Sequence, residues 1–376
     1  MLSDHKLDSS EKYYWLDRRE FLLRCGYRFR SLTGPKRKKY EKKRAREQRP
    51  DMMPFAQRIL DGRDVTLKVI SSTLHPFEAD IGQLFSSLEH AGNPRNHCVP
   101  ILDVLQDPDD MDRQIIVLPQ LVPFHYPAFD TVGEVVDCFR QIFEGLQYMH
   151  ENFVAHRNCG LANILQDPTN LFPDGLHPIA ALCGRRTRKL TRTQCWPRYY
   201  LSDLSLSRQY DPTSGKLPFE EFQGPLDMAT SPPEYDYVGC NPFPTDIYLL
   251  GDVLKRHFLF AQSTSPSRSS SGIYPPLRFL GPLVDEMTRM DPASRPTIDQ
   301  VVQRFDELTS QLSWRHLRQP GQRCRWPARL AQRLRQLWRI VTAVPALPPY
   351  APPPSARMDA SMRAFYTQTD QEAVYR

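Results

Sequence analysis

The sequence predicts an α+β fold with two lobes, a small β-rich lobe followed by a larger helical one. Segments with strand character crowd the first third of the chain, and segments with helical spacing dominate the rest. Strands and helices do not alternate, so the pattern is not that of a parallel βαβ sheet. The chain has 376 residues, of which 40% are hydrophobic, and this is enough to bury a sizeable core.

The predicted strands lie close together in the sequence. Runs at 55–60 and 65–70 flank an Asp-Gly pair, which is typical of a hairpin. Two further strands are predicted at 99–105 and 114–118. Between the hairpin and these strands, apolar residues at helical spacing predict a helix over 78–88. This part of the chain therefore predicts a small sheet with one helix against it.

The predicted helices follow the strands. The longest is an amphipathic helix over 132–151, in which apolar residues recur at helical spacing. Three more are predicted at 246–259, 282–289 and 298–311. Together with the sheet they predict a globular domain over 53–312.

Two segments interrupt this domain. Residues 166–198 form an insert with a basic run, and residues 263–272 form a Ser-rich loop of low complexity. Such inserts are commonly solvated loops, although a basic one is also suited to an acidic partner. After 312 the chain is rich in arginine and then in proline, so residues 313–376 predict an amphipathic helix at 327–341 and a disordered tail.

The N-terminal segment, residues 1–52, predicts a helix over 11–25 that ends at Gly26, followed by a basic arm. The arm, residues 36–49, carries nine basic and two acidic side chains. A run of this kind is a solvated segment, a nuclear address or a phosphate-binding strip.

The composition and the first residues of the chain indicate the cellular compartment in which we expect the protein. The net charge is +6, and no run of 18 apolar residues predicts a transmembrane helix. The first residues lack the apolar core of a secretory signal. The eight cysteines show no metal-ligand spacing and are read as reduced thiols. We expect a cytoplasmic or nuclear protein.

Five single residues and one eight-residue stretch occur in an order that is informative about the fold. Lys68 lies inside a predicted strand, and the stretch HRNCGLAN, residues 156–163, follows the longest predicted helix. The remaining residues, in chain order, are Asp203, Glu234, Asp246 and Arg295. This order resembles the protein kinase superfamily over roughly residues 54–312. The segment WLDRREFLLRCGYRFR also resembles the start of a fungal group of kinase-like proteins, many with degenerate active sites.

The resemblance implies a site for ATP and Mg²⁺. Lys68 would hold phosphate oxygens, paired with Glu78 or, as the alternative, Glu89. Asn163 and Asp203 would bind Mg²⁺, an ion that prefers oxygen ligands. The alternative for these two is that they are ordinary loop residues.

The resemblance also implies a hinge and two structural contacts. Backbone groups of the hinge, Leu118 to Leu121, would bind the adenine. Glu234 and Arg295 would form a buried ion pair. Asp246 would hold the backbone at His156 and Arg157.

Several departures from the family pattern weaken the expectation of catalysis. Asn158 stands where the family has an aspartate that acts as general base, and an amide cannot accept the substrate proton at neutral pH. Ser205 stands where the family has a glycine, and serine lacks the φ freedom of glycine. No Gly-rich phosphate loop precedes Lys68.

Three functions follow as hypotheses. The first is a pseudokinase or weakly active Ser/Thr protein kinase that binds ATP and Mg²⁺ and acts in signalling. The second is an active atypical Ser/Thr kinase. The third is a basic adaptor that binds nucleic acid or anionic lipid through residues 36–49 and 327–341, with binding that weakens steeply as salt rises.

Overall fold

The computed structural model describes residues 14–29, 55–173, 190–214, 218–220, 232–236, 239–259, 275–320 and 345–348. The chain has an α+β fold, as predicted, in which antiparallel sheets are combined with helices. Three predicted features lie outside the described residues, namely the basic arm, the Ser-rich loop and the helix at 327–341, as do residues 174–189 of the basic insert.

The largest sheet has five antiparallel strands in the spatial order β1-β2-β3-β5-β4. They are β1 (Tyr27–Phe29), β2 (Phe55–Arg58), β3 (Asp64–Ser71), β4 (Asp103–Gln106) and β5 (Arg113–Pro119). The predicted hairpin is confirmed, because β2 pairs with β3. Gly62 lies in its turn with a φ of +73°, a conformation that glycine adopts without steric cost. The strand predicted at 114–118 is confirmed as the centre of β5.

Short strands outside this sheet frame the loop at 156–163. One sheet of the described residues contains β6 (Val122–Pro123), β8 (Ile164–Gln166) and β9 (Tyr199–Leu201). Another pairs β7 (Val154–Ala155) with β10 (Arg208–Gln209). Of these strands the sequence predicted only β9, as a short apolar strand before Asp203, because two or three residues are too few to display an alternating pattern. Strand β7 directly precedes the loop and β8 directly follows it, so the two strands hold the ends of the loop.

Helices occur along the whole described part of the chain, and most of the helical residues lie after residue 131. They are α1 (Arg19–Arg24), α2 (Glu78–Ser86), α3 (Leu88–Ala91), α4 (Val132–Glu151), α5 (Arg192–Cys195), α6 (Pro242–Leu254), α7 (Gly281–Met287), α8 (Ile298–Ser310) and α9 (Trp314–Leu317). Helix α4 has the predicted bounds, and the Thr131 side chain caps it by accepting a hydrogen bond from Glu134 N. Within the described part of the chain, no helix has the length and apolar character needed to cross a membrane.

The main hydrophobic core surrounds α4. Its buried side chains come chiefly from α4, α6, α7 and α8, and α4 packs directly against α8 and β9. This arrangement explains why α4 is buried along almost its whole length. The loop at 156–163 follows α4 and β7, so it emerges from the most firmly packed part of the molecule.

The two faces of the five-stranded sheet have different partners. Because side chains alternate along a strand, Val65 and Leu67 of β3 lie on one face and Lys68 and Ile70 contribute to the other. The first face packs against Trp15, Leu22 and Tyr27 of the N-terminal segment. The second packs against Ala79 of α2.

The N-terminal segment is therefore part of the folded core, although the sequence predicted a separate segment over 1–52. Leu22 of α1 is fully buried, and Trp15 is 8% exposed. Strand β1 pairs with β2, so residues 14–29 extend the sheet and cover it. Arg18 and Tyr14 both bind the buried carboxylate of Asp107, with distances of 2.7 Å and 2.5 Å to Oδ2. Gly26 ends the helix as predicted, with a φ of +89°.

Three predicted elements have different bounds in the structure. The strand predicted at 99–105 begins only at Asp103, because the preceding residues follow β9 instead: Val99 N donates to Leu201 O. The helix predicted at 78–88 ends at Ser86, since Ser87 is extended and starts α3. Helix α6 begins at Pro242, earlier than predicted, and gives way to a π-helical turn at Lys255–Leu259.

The chain keeps contact with the main core beyond residue 312, where the predicted domain ended. Leu317 of α9 is buried in that core. Ala346 and Leu347, which the sequence assigned to a disordered tail, also pack against it. Ala346 O lies so close to Gly133 that a Cβ at residue 133 would be 2.1 Å away from it. The C-terminal part therefore contributes to the packing at the start of α4.

The packing of the N-terminal segment is tested by two neighbouring leucines. We expect Leu22→Ala to lower the free energy of unfolding by about 2–5 kcal/mol, because it leaves a cavity between α1 and the sheet. Leu23 is 49% exposed, so Leu23→Ala is expected to change stability by less than about 0.5 kcal/mol. Urea unfolding of both variants measures the difference. Equal effects would contradict the integration of this segment into the fold.

Two of the buried carboxyl groups on helix α4, Asp137 and Glu144, have strongly shifted pKa values. Burial raises the pKa of Asp137 to about 7, although the hydrogen bond from Gln141 opposes this rise. Burial likewise raises the pKa of Glu144 to about 7, against the charge of Arg140. Burial favours the neutral acid because the charged form loses its hydration. Both groups therefore hold a proton in the folded chain at pH values where the unfolded chain has lost it.

These carboxyl groups predict a pH dependence of stability. Between about pH 4 and pH 7 the unfolded state binds fewer protons than the native state, so the free energy of unfolding falls as pH rises. Asp137→Asn removes one of these groups. We expect this variant to match the wild type near pH 4 and to exceed its stability by a few kcal/mol, roughly 1.4 per pK unit, at pH 8.

Urea unfolding at pH 4, 6 and 8 measures this profile. Asp285→Asn is the control, because the Asp285 side chain is 72% exposed. A wild-type profile that runs parallel to that of Asp137→Asn would contradict the assignment.

Candidate functional site

The loop after β7 is fixed by one buried carboxylate. Asp246 of α6 accepts hydrogen bonds from the backbone N–H of His156 at 2.8 Å and from that of Arg157 at 2.6 Å. His150 Nε2 lies 3.0 Å from the same carboxylate. The predicted role of Asp246 is confirmed. Arg157 adopts a φ of +64°, which is uncommon for a residue with a side chain, and its guanidinium donates to Leu206 O at 3.0 Å.

A second loop brings Asp203 to this site. Asp203 follows β9, has a φ of +64° and precedes a 3-10 turn at Leu204–Leu206. The Leu204 side chain is buried, and this turn packs against α2. At Gly82 of α2 an added Cβ would lie 2.2 Å from the Ile101 side chain and 3.7 Å from that of Leu204, so glycine permits the close approach of Ile101 beside the turn. The turn therefore holds Asp203 between α2 and the loop at 156–163.

Lys68 of β3 lies between two carboxylates. Its Nζ donates to Glu78 Oε1 on α2, and to Asp203 Oδ1 at 2.7 Å. Glu78 fulfils the predicted contact, whereas Glu89 is exposed. The Lys68 side chain is 16% exposed and that of Glu78 is 5% exposed, so this contact is largely shielded from water.

The electrostatics of these three groups follow from burial and from their mutual contact. Burial lowers the pKa of Lys68, but the charges of Glu78 and Asp203 outweigh it and raise the pKa, so the ammonium stays protonated. Burial raises the pKa of Asp203, but the charge and hydrogen bond of Lys68 outweigh it and the net pKa is lowered. Burial dominates at Glu78 and raises its pKa despite Lys68.

Asn158 contacts Asp203 directly. Its Nδ2 donates to Asp203 Oδ2 at 2.9 Å, and the Asn158 residue is 8% exposed. Asn163 forms a hydrogen bond across the loop, in which its Nδ2 donates to Asn158 O at 2.9 Å. The Ser202 hydroxyl in turn donates to Asn163 O at 3.0 Å. The structure therefore brings Lys68, Glu78, Asn158, Asn163 and Asp203 together, as the sequence predicted.

The sequence missed what two of the departures do. Asn158 was read as the loss of a base and Ser205 as the loss of a flexible glycine. In the structure the Asn158 side chain donates a hydrogen bond to Asp203, and the nearby Ser205 helps to keep the Asp203 pKa low. The sequence did contain an indication of this role. The side chains of Asn158 and Ser205 can donate a hydrogen bond, whereas an ionised aspartate or a glycine at these positions cannot.

The predicted hinge lies beside Lys68 on the neighbouring strand. In the β3–β5 register, Lys68 is opposite Ile116 and Thr66 is opposite Leu118. Because residues two apart share a face, Leu118 lies on the same face of the sheet as Lys68. Leu118 packs with Ile116 there, and Leu121 follows β5 as a half-buried residue. The hinge and the lysine thus line one side of the sheet.

One of the two residues predicted to bind Mg²⁺, Asp203, has other partners in this arrangement. Both oxygens of Asp203 accept hydrogen bonds, one from Lys68 and one from Asn158. Mg²⁺ requires near-octahedral oxygen ligands. Among the described residues no group of three or more His, Cys, Asp and Glu side chains is arranged to hold a metal ion. In this arrangement the side chains around Asp203 do not fit Mg²⁺.

The predicted ion pair between Glu234 and Arg295 is present in the structure. Arg295 donates two hydrogen bonds to Glu234, at 2.5 Å and 2.7 Å, and both side chains are completely buried. Removal of one partner from a buried pair costs on the order of 3–5 kcal/mol, because the other charge is left unpaired. This confirmed contact supports α6, which carries Asp246, because Arg295 also donates to Pro244 O and Glu234 accepts from the Thr245 hydroxyl.

Comparison with known proteins adds no relative, since no family model matches the chain and no curated protein matches it. The resemblance to protein kinases therefore depends on the order of the motif residues in the sequence and on the contacts among them.

Proposed function

We propose that this protein is a two-lobed, protein-kinase-like pseudokinase that binds an adenine nucleotide and acts in signalling through partner binding. The observation that carries the proposal is the contact between Asn158 and Asp203. It accompanies an intact Lys68–Glu78 pair in a site that lacks a general base. The five-stranded sheet would form the small lobe and the core around α4 the large lobe, with the site between them.

The nucleotide-binding half of the proposal rests on Lys68. A protonated ammonium that is mostly shielded from water is suited to phosphate oxygens, because electrostatic attraction is stronger where water is excluded. The hinge at Leu118–Leu121 extends from the strand next to Lys68, which suits an adenine held by backbone groups. Phosphate at Lys68 and base at the hinge would thus occupy one face of the sheet.

The pseudokinase half rests on Asn158. Transfer of a phosphoryl group to a hydroxyl is assisted by a group that accepts the hydroxyl proton, and this assistance typically contributes about 10²–10⁴ in rate. An amide cannot accept that proton at neutral pH. Here its N–H₂ group is also directed to Asp203 and not toward an incoming hydroxyl. The arrangement supports binding more than turnover.

Two alternatives remain as hypotheses with their own tests. An active atypical Ser/Thr kinase is favoured by the retained Lys68, Asn163 and Asp203, since positioning and charge supply much of phosphoryl-transfer catalysis. A basic adaptor for nucleic acid or anionic lipid depends on residues 36–49 and 327–341, which lie outside the described residues. Its expected signature is binding that falls steeply as salt rises.

Nucleotide binding is tested by thermal unfolding of the whole chain with and without ATP. A ligand at about 100 times its dissociation constant stabilises the folded state by roughly 2.7 kcal/mol, so we expect a clear rise in the unfolding temperature. Lys68→Met should abolish this rise. Lys255→Met is the matched control, because Lys255 contacts Thr288 and Asp285 outside the site. An ATP-induced shift that survives in Lys68→Met would contradict the assigned site.

Catalysis is tested by radiolabelled phosphate transfer from Mg-ATP to generic protein acceptors. We expect the wild type to show no transfer above Lys68→Met, because Asn158 cannot accept the proton. Asn158→Asp restores a carboxylate that can accept the hydroxyl proton. This variant tests whether Asn158 is the main reason for the absence of phosphate transfer. Transfer by the wild type clearly above the Lys68→Met background would overturn the pseudokinase proposal and favour the active-kinase alternative.

A further inference from the structure

We propose that nucleotide binding at Lys68 requires no divalent cation, because Lys68 and Asn158 occupy both oxygens of the Asp203 carboxylate that a cation would otherwise bind. This inference rests on the proposed nucleotide site. It concerns the metal alone and can fail while nucleotide binding stands.

The first step is the set of donors around Asp203. Lys68 Nζ is 2.7 Å from Oδ1, and Asn158 Nδ2 is 2.9 Å from Oδ2. Each oxygen of the carboxylate therefore already accepts a hydrogen bond, which opposes the binding of an ion that needs well-placed lone pairs.

The second step is the orientation of the Asn158 amide. With Nδ2 toward Asp203, the contact joins a donor and an acceptor. The reversed amide would place its oxygen against the carboxylate, which would bring two acceptors together in a poorly hydrated site. The surroundings also hold the residue in place, because Asn163 binds its backbone oxygen and the Asn158 residue is 8% exposed. The positive end of the amide is thus fixed where a cation would approach.

The third step is the charge of the cluster. One cation, Lys68, lies between the carboxylates of Glu78 and Asp203. An aspartate at position 158 would add a third carboxylate against Asp203, and like charges at this distance disfavour ionisation of both groups. An added cation would relieve that repulsion. Asn158 relieves it without an ion, because a neutral amide donates a hydrogen bond and adds no negative charge.

The test measures ATP binding to the whole chain by thermal shift and by titration calorimetry, in EDTA and in Mg²⁺. For the wild type we expect apparent dissociation constants that agree within about threefold in the two buffers. Asn158→Asp should lose at least about tenfold in affinity in EDTA and recover it in Mg²⁺, since its carboxylate needs the cation. Asn152→Asp makes the same chemical change at the end of α4 and should behave like the wild type.

The outcomes are distinguishable. A wild-type shift that occurs only with Mg²⁺ would overturn metal independence and leave the nucleotide site intact. A wild-type response in both buffers supports the inference even if Asn158→Asp does not fold. The absence of any ATP response in either buffer would remove the proposed nucleotide site and this inference with it.

Discussion

The buried carboxylate of Asp246 is the contact on which the geometry of the site depends. It accepts the backbone N–H groups of His156 and Arg157 and contacts His150 at the end of α4. A buried carboxylate is costly unless its oxygens are satisfied, and here each oxygen has a donor. The same contacts hold Arg157 in its positive-φ conformation and turn Asn158 toward Asp203. The position of Asn158 is therefore set by the helical core and not by the site itself.

From the other side, the sheet sets the position of Lys68. The N-terminal segment covers one face of β3, so the opposite face, with Lys68, is directed to α2 and Glu78. The turn after Asp203 packs on that same helix. Helix α2 thus contacts both Lys68, through Glu78, and the turn that carries Asp203. A shift of α2 would change the Lys68–Glu78 and Lys68–Asp203 contacts together, which couples the sheet to the helical core.

The sequence predicted the long-range contacts of this site better than several local elements. The Glu234–Arg295 pair and the Asp246 contacts were implied by the resemblance to protein kinases that the order of the motif residues carries, and the structure contains both. Helix α4 was predicted to the residue, since its apolar spacing is sustained over 20 residues. The two-residue strands and the packing of residues 14–29 were missed. Short strands have no periodicity, and the tertiary partner of an amphipathic N-terminal segment is not encoded in its own pattern.

The hydrogen-bond geometry changes the meaning of the two departures at Asn158 and Ser205. Read singly, one removes a base and the other removes a glycine. In the structure Asn158 donates to the carboxylate that Lys68 also binds, and Ser205 helps to keep the pKa of that carboxylate low. The Asp203 side chain is 30% exposed, so each donor stabilises a carboxylate that is largely removed from water. In the proposed pseudokinase these contacts would keep Asp203 ionised and positioned without a metal, so the replacement of the base and the stability of the site would have one common explanation.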